Sequence, residues 1–231
     1  MNMPWQDPRV RRGMEALLNR RDERLAAGDR CVGWKIAFGS RPIQEKLGIS
    51  APLVGFLFQS SVLQSGEAAT LAGWTKPVIE PEIAVLMQHD LAAREGTDKA
   101  AAAIAKLGPA LELIDSRSPP ENPEPVLAGN IAHRHVVLGA TGIAAPEAMT
   151  GRVFRRGVEF ARVNEIQALP GDPRALTAYV ADYLAAFGEK LKAGDIVICG
   201  SIVPPIPIDP DEDSMRYVLD PVGEVSVRFN R

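Results

Sequence analysis

Val78-Ile79-Glu80-Pro81-Glu82-Ile83-Ala84-Val85-Leu86 sets two carboxylates into an otherwise apolar run. Its aliphatic, β-branched composition reads as a strand, over Val78–Met87. Residues two apart in a strand project from one face, so Glu80 and Glu82 are expected side by side among buried neighbours. Ionised carboxylates buried without partners cost more than a domain's whole margin of stability. Either that face is open to water, as on the solvated side of an edge strand, or a positive group sits there. Pro81 cannot donate to a ladder, so a bulge or an edge is expected between the two glutamates.

Working outward, Glu112 interrupts a second apolar run, Pro109-Ala110-Leu111-Glu112-Leu113-Ile114-Asp115, and Lys35 a third, Gly33-Trp34-Lys35-Ile36. An alanine-rich helix is expected over Thr97–Leu107, so that Glu112 returns on a neighbouring strand, Ala110–Ile114, as a third acidic ligand. Oxygen donors without a nearby cluster of His or Cys suit hard ions such as Mg²⁺, Mn²⁺ or Ca²⁺. Three side chains leave positions open for a chelating substrate and water. Lys35, on a strand over Val32–Phe38, either serves that site or snorkels to water.

Other polar residues stand close by in the sequence. In Asn130-Ile131-Ala132-His133-Arg134-His135, either histidine suits acid/base work because imidazole titrates near neutrality; the alternative is a surface or structural histidine. Arg117 can bind a substrate carboxylate through a forked pair of hydrogen bonds, or form a structural ion pair with Asp115. Gly200-Ser201 ends the apolar strand Ile196–Cys199, where a glycine lets backbone approach a ligand, unless it is an ordinary strand end. There is no Gly-rich phosphate loop, and no Ser, His and Asp fall into a hydrolase motif.

At 231 residues the chain is expected to be one domain, 1–231, with an N-terminal helical segment (about 1–30) packed on a β core. The formal net charge of -3 and scattered Lys and Arg give no basic stripe for nucleic acid, and no apolar run approaches membrane-spanning length. The start, Met1-Asn2-Met3-Pro4-Trp5-Gln6-Asp7, lacks the apolar core of a secretory signal. Cys31 and Cys199 read as buried thiols, which fits a reducing cytoplasm. Asp7-Pro8 caps a helix that runs to Gly28; Arg41–Leu47 reads as a short helix, and Pro173–Phe187 as another capped by Asp172. A last strand is expected at Val225–Phe229. The proline-rich stretches Ser118–Pro125 and Pro204–Pro210 read as loops at the rim of the site.

Taken in order, Gly33-Trp34-Lys35-Ile36, Gly48-Ile49-Ser50, Glu80-Pro81-Glu82-Ile83-Ala84, Pro109-Ala110-Leu111-Glu112-Leu113-Ile114-Asp115-Ser116-Arg117 and Gly194-Asp195-Ile196-Val197-Ile198-Cys199-Gly200-Ser201 resemble the fumarylacetoacetate hydrolase superfamily. Within it they resemble the 2-keto-4-pentenoate hydratase and 2-oxo-3-enedioate decarboxylase branch of aromatic catabolism. The resemblance implies an α+β fold with a mixed, rolled β-sheet core and flanking helices, assembled as a homo-oligomer or paired with a homologous hydratase or decarboxylase. It implies Mg²⁺ or Mn²⁺ on Glu80, Glu82 and Glu112, with Lys35 near the metal-bound substrate as an acid/base or charge-balancing group; His133 is taken as a second catalytic group, in place of a missing family acid. Arg117, Gly200 and Ser201, read from their own chemistry, and Asn130, retained from the family pattern, are the expected contacts to a small 2-oxo or dienol acid. Hydration of a 2-hydroxy-2,4-dienoate is the first expectation. Decarboxylation of a 2-oxo-3-enedioate, hydrolysis of an acylpyruvate, and an inactive partner subunit are the alternatives. Two family acids are absent: Pro52-Leu53-Val54-Gly55 carries none where the hydratases often read P-D-x-G, and Ala128-Gly129-Asn130 stands where they often read A-D-N.

Overall fold

The computed structural model describes residues 3–117, 120–142, 146 and 148–231. The first long element is helix α1 (Pro8–Ala26), opened by the Asp7 carboxylate, which accepts from the Arg9 N–H at 2.8 Å, and by Pro8 in its first turn. Val10, Met14 and Leu17 recur at helical spacing and are fully buried. The chain continues through β1 (Cys31–Ala37), α2 (Arg41–Leu47), β2 (Leu53–Phe58), β3 (Val62–Gln64), β4 (Ala68–Thr70), β5 (Pro77–Met87), α3 (Gly96–Ala103) and β6 (Ile104–Asp115). Then come α4 (Pro123–Ala128), β7 (His133–Leu138), β8 (Thr150–Arg155), β9 (Val158–Val163), α5 (Pro173–Ala185), β10 (Ile196–Ser201), β11 (Ile206–Pro207), β12 (Ser214–Asp220) and β13 (Gly223–Asn230).

The strands form two sheets, giving an α+β fold. The larger is mixed, in the order β2-β1-β10-β5-β6-β7-β3, with β11 extending the β5 edge beyond β10; the smaller runs β4-β13-β12-β8-β9. The larger sheet is rolled. Leu57 from one of its edges lies in the same buried cluster as Val136 from β7 and Val62 from β3, together with Ala84, Ala110 and Ile198 from the centre. These residues fill the inside of the roll. The outer face carries Ile79, Ile83, Val85, Leu111, Leu113 and Val197, which join Tyr217, Val225 and Val227 of the smaller sheet and Val180 and Leu184 of α5 in one continuous core. Burying a Leu or Val side chain contributes roughly 1.5–3 kcal/mol, so this core holds the roll's curvature against the charges inside it.

Three expectations are corrected. The alanine-rich helix stops at Ala103 and not at Leu107, because Ile104 turns extended and opens a β6 of twelve residues paired along the whole of β5. A long antiparallel ladder outweighs the helix preference of a few alanines. The two proline-rich stretches are loops only in part: residues 118 and 119 lie outside the described residues, Pro123–Pro125 begin α4, capped by the Asn122 side chain, and Ile206–Pro207 form β11 on β5. The break expected at Pro81 falls on the neighbouring strand. Pro81 stays in register with Leu111 of β6, while β10 inserts an extra residue between its pairings Ile198–Ala84 and Ser201–Glu82. The Pro81 carbonyl accepts from the Ile202 N–H at 2.9 Å, so the side of Pro81 that lacks a donor faces β10. A bulge there absorbs the missing hydrogen bond.

Cys31 and Cys199 are free thiols. No helix among the described residues is long and apolar enough to cross a membrane.

Candidate metal centre

The register assembles the charges on the inner face of the roll. Lys35 on β1 is level with Ile198 on β10 and Ala84 on β5, and Glu82 and Glu80 follow two and four residues along the same face of β5. Glu80 stands directly opposite Glu112 of β6, and Glu82 opposite Ala110. Glu82, Glu112 and Lys35 are all but fully buried, and Glu80 is half-buried.

Each innermost carboxylate is held by one oxygen and leaves the other free. Glu82 Oε2 accepts from the Gly200 backbone N–H at 2.7 Å, which the β10 bulge points inward. Glu112 Oε1 accepts a short hydrogen bond from Lys35 Nζ and lies 2.7 Å from His133 Nδ1. Glu82 Oε1 and Glu112 Oε2 are buried with no hydrogen-bond partner. One oxygen from each of Glu80, Glu82 and Glu112 lies within 4.8 Å of the others, and this is the one such acidic group among the described residues. Buried oxygens without donors are expensive, and a hard divalent cation is the partner their chemistry fits.

The charges oppose one another strongly. Burial and then the Glu112 charge push Glu80 up to about 7, and burial with the charges of Glu112 and Glu80 raises Glu82 well above its ordinary value. Burial would raise Glu112 as well, but the Lys35 charge and the His133 hydrogen bond hold it below the usual range. Burial lowers His133, and Glu112 opposes that shift. The cluster thus has one carboxylate kept ionised and two that stay protonated more readily without a cation.

Backbone geometry delivers Lys35 and His133. Asn130, Ile131 and Ala132 take three successive left-handed conformations (φ 53°, 53° and 59°) just before β7. A β-branched residue is an outlier there, at a cost of order 1–3 kcal/mol per residue. The turn is held because the Asn130 amide accepts from Phe56 N–H and donates to Phe56 C=O, both at 3.0 Å. It brings the Ile131 carbonyl to 3.5 Å from Lys35 Nζ. Gly55, opposite Lys35 on β2, leaves room for both: a Cβ there would lie 2.6 Å from Asn130 Oδ1 and 3.0 Å from Lys35 Cγ.

The structure brings Lys35, Glu80, Glu82, Glu112, His133 and the Gly200 N–H together. Asn130 adjoins them, but its amide is engaged by β2. Ser201 Oγ contacts the Pro81 carbonyl at 3.4 Å. Arg117 stands apart, with its side chain 62% exposed and its Nε donating to Asp115 Oδ2, which Arg134 shares. Burial acts to raise Asp115, yet the Lys76 and Thr75 amides and the two guanidinium groups hold it at about 2. Sequence reasoning missed Ser61, whose hydroxyl is 3.1 Å from His133 Nε2. It also missed Gly55 as the cradle of Lys35. No motif marks Ser61, since the contact spans 72 residues and depends on how the sheet rolls.

A family model described as Fumarylacetoacetate (FAA) hydrolase C-terminal matches residues 25–229. The chain is 31% identical over 221 residues to a 2-keto-4-pentenoate hydratase of Burkholderia vietnamiensis, covering 90% of this chain and 81% of that protein. It is 30% identical over 218 residues to a 4-oxalocrotonate decarboxylase of a Pseudomonas species, covering 88% and 80%. Among solved structures, the 4-oxalocrotonate decarboxylase of Pseudomonas putida G7, complexed with magnesium and adipate, superposes with a TM-score of 0.86 at 24% identity over 94% of this chain and 85% of that one.

Proposed function

The chain belongs to the fumarylacetoacetate hydrolase family, and from that premise we propose that it is a divalent-metal-dependent hydratase of a small 2-hydroxy-2,4-dienoate, of the 2-keto-4-pentenoate type. The observation that carries this reading is the pair of buried, partnerless oxygens, Glu82 Oε1 and Glu112 Oε2, beside Glu80. Glu80, Glu82 and Glu112 would hold Mg²⁺ or Mn²⁺. When bound, such an ion gives Lewis-acid stabilisation to the enolate of a chelated 2-oxo acid. Two relatives, named as a 2-keto-4-pentenoate hydratase from Burkholderia vietnamiensis and a 2-hydroxyhexa-2,4-dienoate hydratase from Comamonas testosteroni, favour this substrate class.

The chain's own residues then have defined tasks. Lys35 Nζ donates to Glu112 Oε1 and Ile131 O, and its third N–H has no partner among the described residues, which leaves it to give or take a proton at the substrate. Ketonisation of the dienol needs a proton at the far end of the diene, and hydration then adds water across the conjugated double bond. His133 keeps Glu112 oriented. The fixed Gly200 N–H holds Glu82 in place while substrates exchange.

Decarboxylation of a 2-oxo-3-enedioate is the second reading, favoured by the 30% identity to a 4-oxalocrotonate decarboxylase. The test offers the purified chain with Mg²⁺ a 2-hydroxy-2,4-dienoate and an enedioate in parallel, with and without EDTA, alongside Glu82→Ala. Metal-dependent loss of dienoate absorbance that EDTA and the variant abolish is the expected result. Release of carbon dioxide from the enedioate alone would move the assignment to the second reading. No turnover of either would leave the chain as an inactive partner subunit.

A further inference from the structure

We infer that Ser61 is a positioning residue for the metal centre, acting through His133 to decide which oxygen Glu112 presents to the cation. This inference rests on the metal-binding reading of Glu80, Glu82 and Glu112. Ser61 lies in the 3₁₀ turn Gln59–Ser61 between β2 and β3, 6% exposed, and its Oγ donates to the Phe58 carbonyl at 2.8 Å. The same hydroxyl lies 3.1 Å from His133 Nε2, as partner to the ring nitrogen that points away from Glu112. That contact fixes the plane of the imidazole and which of its nitrogens faces inward.

The ring's other nitrogen, Nδ1, lies 2.7 Å from Glu112 Oε1. Lys35 Nζ bonds the same oxygen. Two groups on Oε1 leave Oε2, buried and partnerless, as the Glu112 oxygen available to a cation shared with Glu80 and Glu82. Without the Ser61 anchor the imidazole is held by Glu112 alone, and one of the two groups that pin Oε1 is loosened. Partners that orient a metal's ligands typically matter by 10–100-fold in metal affinity. The arrangement joins the β2–β3 turn, β7 and β6, which only the rolled sheet brings together.

The test is Mn²⁺ affinity by calorimetry for the wild-type chain, Ser61→Ala, Ser61→Thr, His133→Ala and the Ser61→Ala/His133→Ala double variant, with circular dichroism as a check on folding. Ser61→Ala is expected to bind about tenfold more weakly and Ser61→Thr, which keeps the hydroxyl, close to wild type. The double variant should match His133→Ala, because Ser61 acts only through the imidazole. A wild-type affinity for Ser61→Ala, or a further loss in the double variant, would overturn this role while leaving the metal site standing. Failure of the wild-type chain to bind Mn²⁺ would overturn the metal-site reading and this inference with it.

Discussion

Glu80 on β5 is the cross-strand partner of Glu112 on β6, with both side chains on the inner face of the roll. Like charges placed directly opposite destabilise an antiparallel pair, and here burial removes the water that would otherwise screen them. A bound cation reverses that penalty. The melting temperature should therefore rise with added Mn²⁺ or Mg²⁺ and return with EDTA; a ligand at a hundred times its Kd adds about 2.7 kcal/mol. Differential scanning calorimetry across a metal titration checks this. A melting temperature indifferent to both ions would argue against the site.

Lys35→Met removes the positive charge buried beside Glu112 while keeping much of the side chain's volume. Breaking a buried pair on one side typically costs about 3–5 kcal/mol, because the remaining charge is left uncompensated. Urea unfolding of the metal-free variant should show a loss of that order. Near-wild-type stability would mean that the pair is not formed in solution.

Gly55→Ala places a methyl group 2.6 Å from Asn130 Oδ1 and 3.0 Å from Lys35 Cγ. Asn130 is fixed at both ends to Phe56, so the strain falls on Lys35 and on the left-handed turn. Overpacking of this kind costs about 1–3 kcal/mol, and the displaced amine should lower turnover more than it raises the apparent substrate constant. Steady-state kinetics beside a urea melt separates the two effects.

Asp115 gives the pH dependence a sign. Its ordinary value is 3.8 and its folded value about 2, so its stabilising contribution is complete above the former and lost as pH falls through the latter. Glu80 works in the opposite direction, since its carboxyl is raised from 4.5 to about 7 and its cost in the metal-free protein grows across that interval. The stability gap between wild type and Asp115→Asn should therefore narrow between about pH 4 and pH 2. Urea melts at stepped pH measure it, and a constant gap would contradict the assignment.

Much of this arrangement was legible in the chain because strand periodicity carries side-chain direction. The alternation around Glu80 and Glu82 put both on one face, and Asp7-Pro8 and Asp172-Pro173 marked helix starts that the structure keeps. Long-range geometry was not legible. Nothing local announces that Ser61 meets His133, or that Asn130 reaches β2, since both contacts follow from the curl of the sheet. The left-handed turn at Asn130–Ala132 runs against the preferences of Ile131, so tertiary contacts impose it. Arg117 shows the converse limit: its forked donor suits a substrate carboxylate or Asp115 equally, and only the fold shows that Asp115 engages it.

The most direct measurement is anomalous diffraction from crystals of the wild-type chain soaked in Mn²⁺. The account predicts one strong peak inside the roll, coordinated by oxygens of Glu80, Glu82 and Glu112, with Lys35 and His133 remaining on Glu112. A lattice that takes up manganese elsewhere while these three side chains turn away from one another would contradict it.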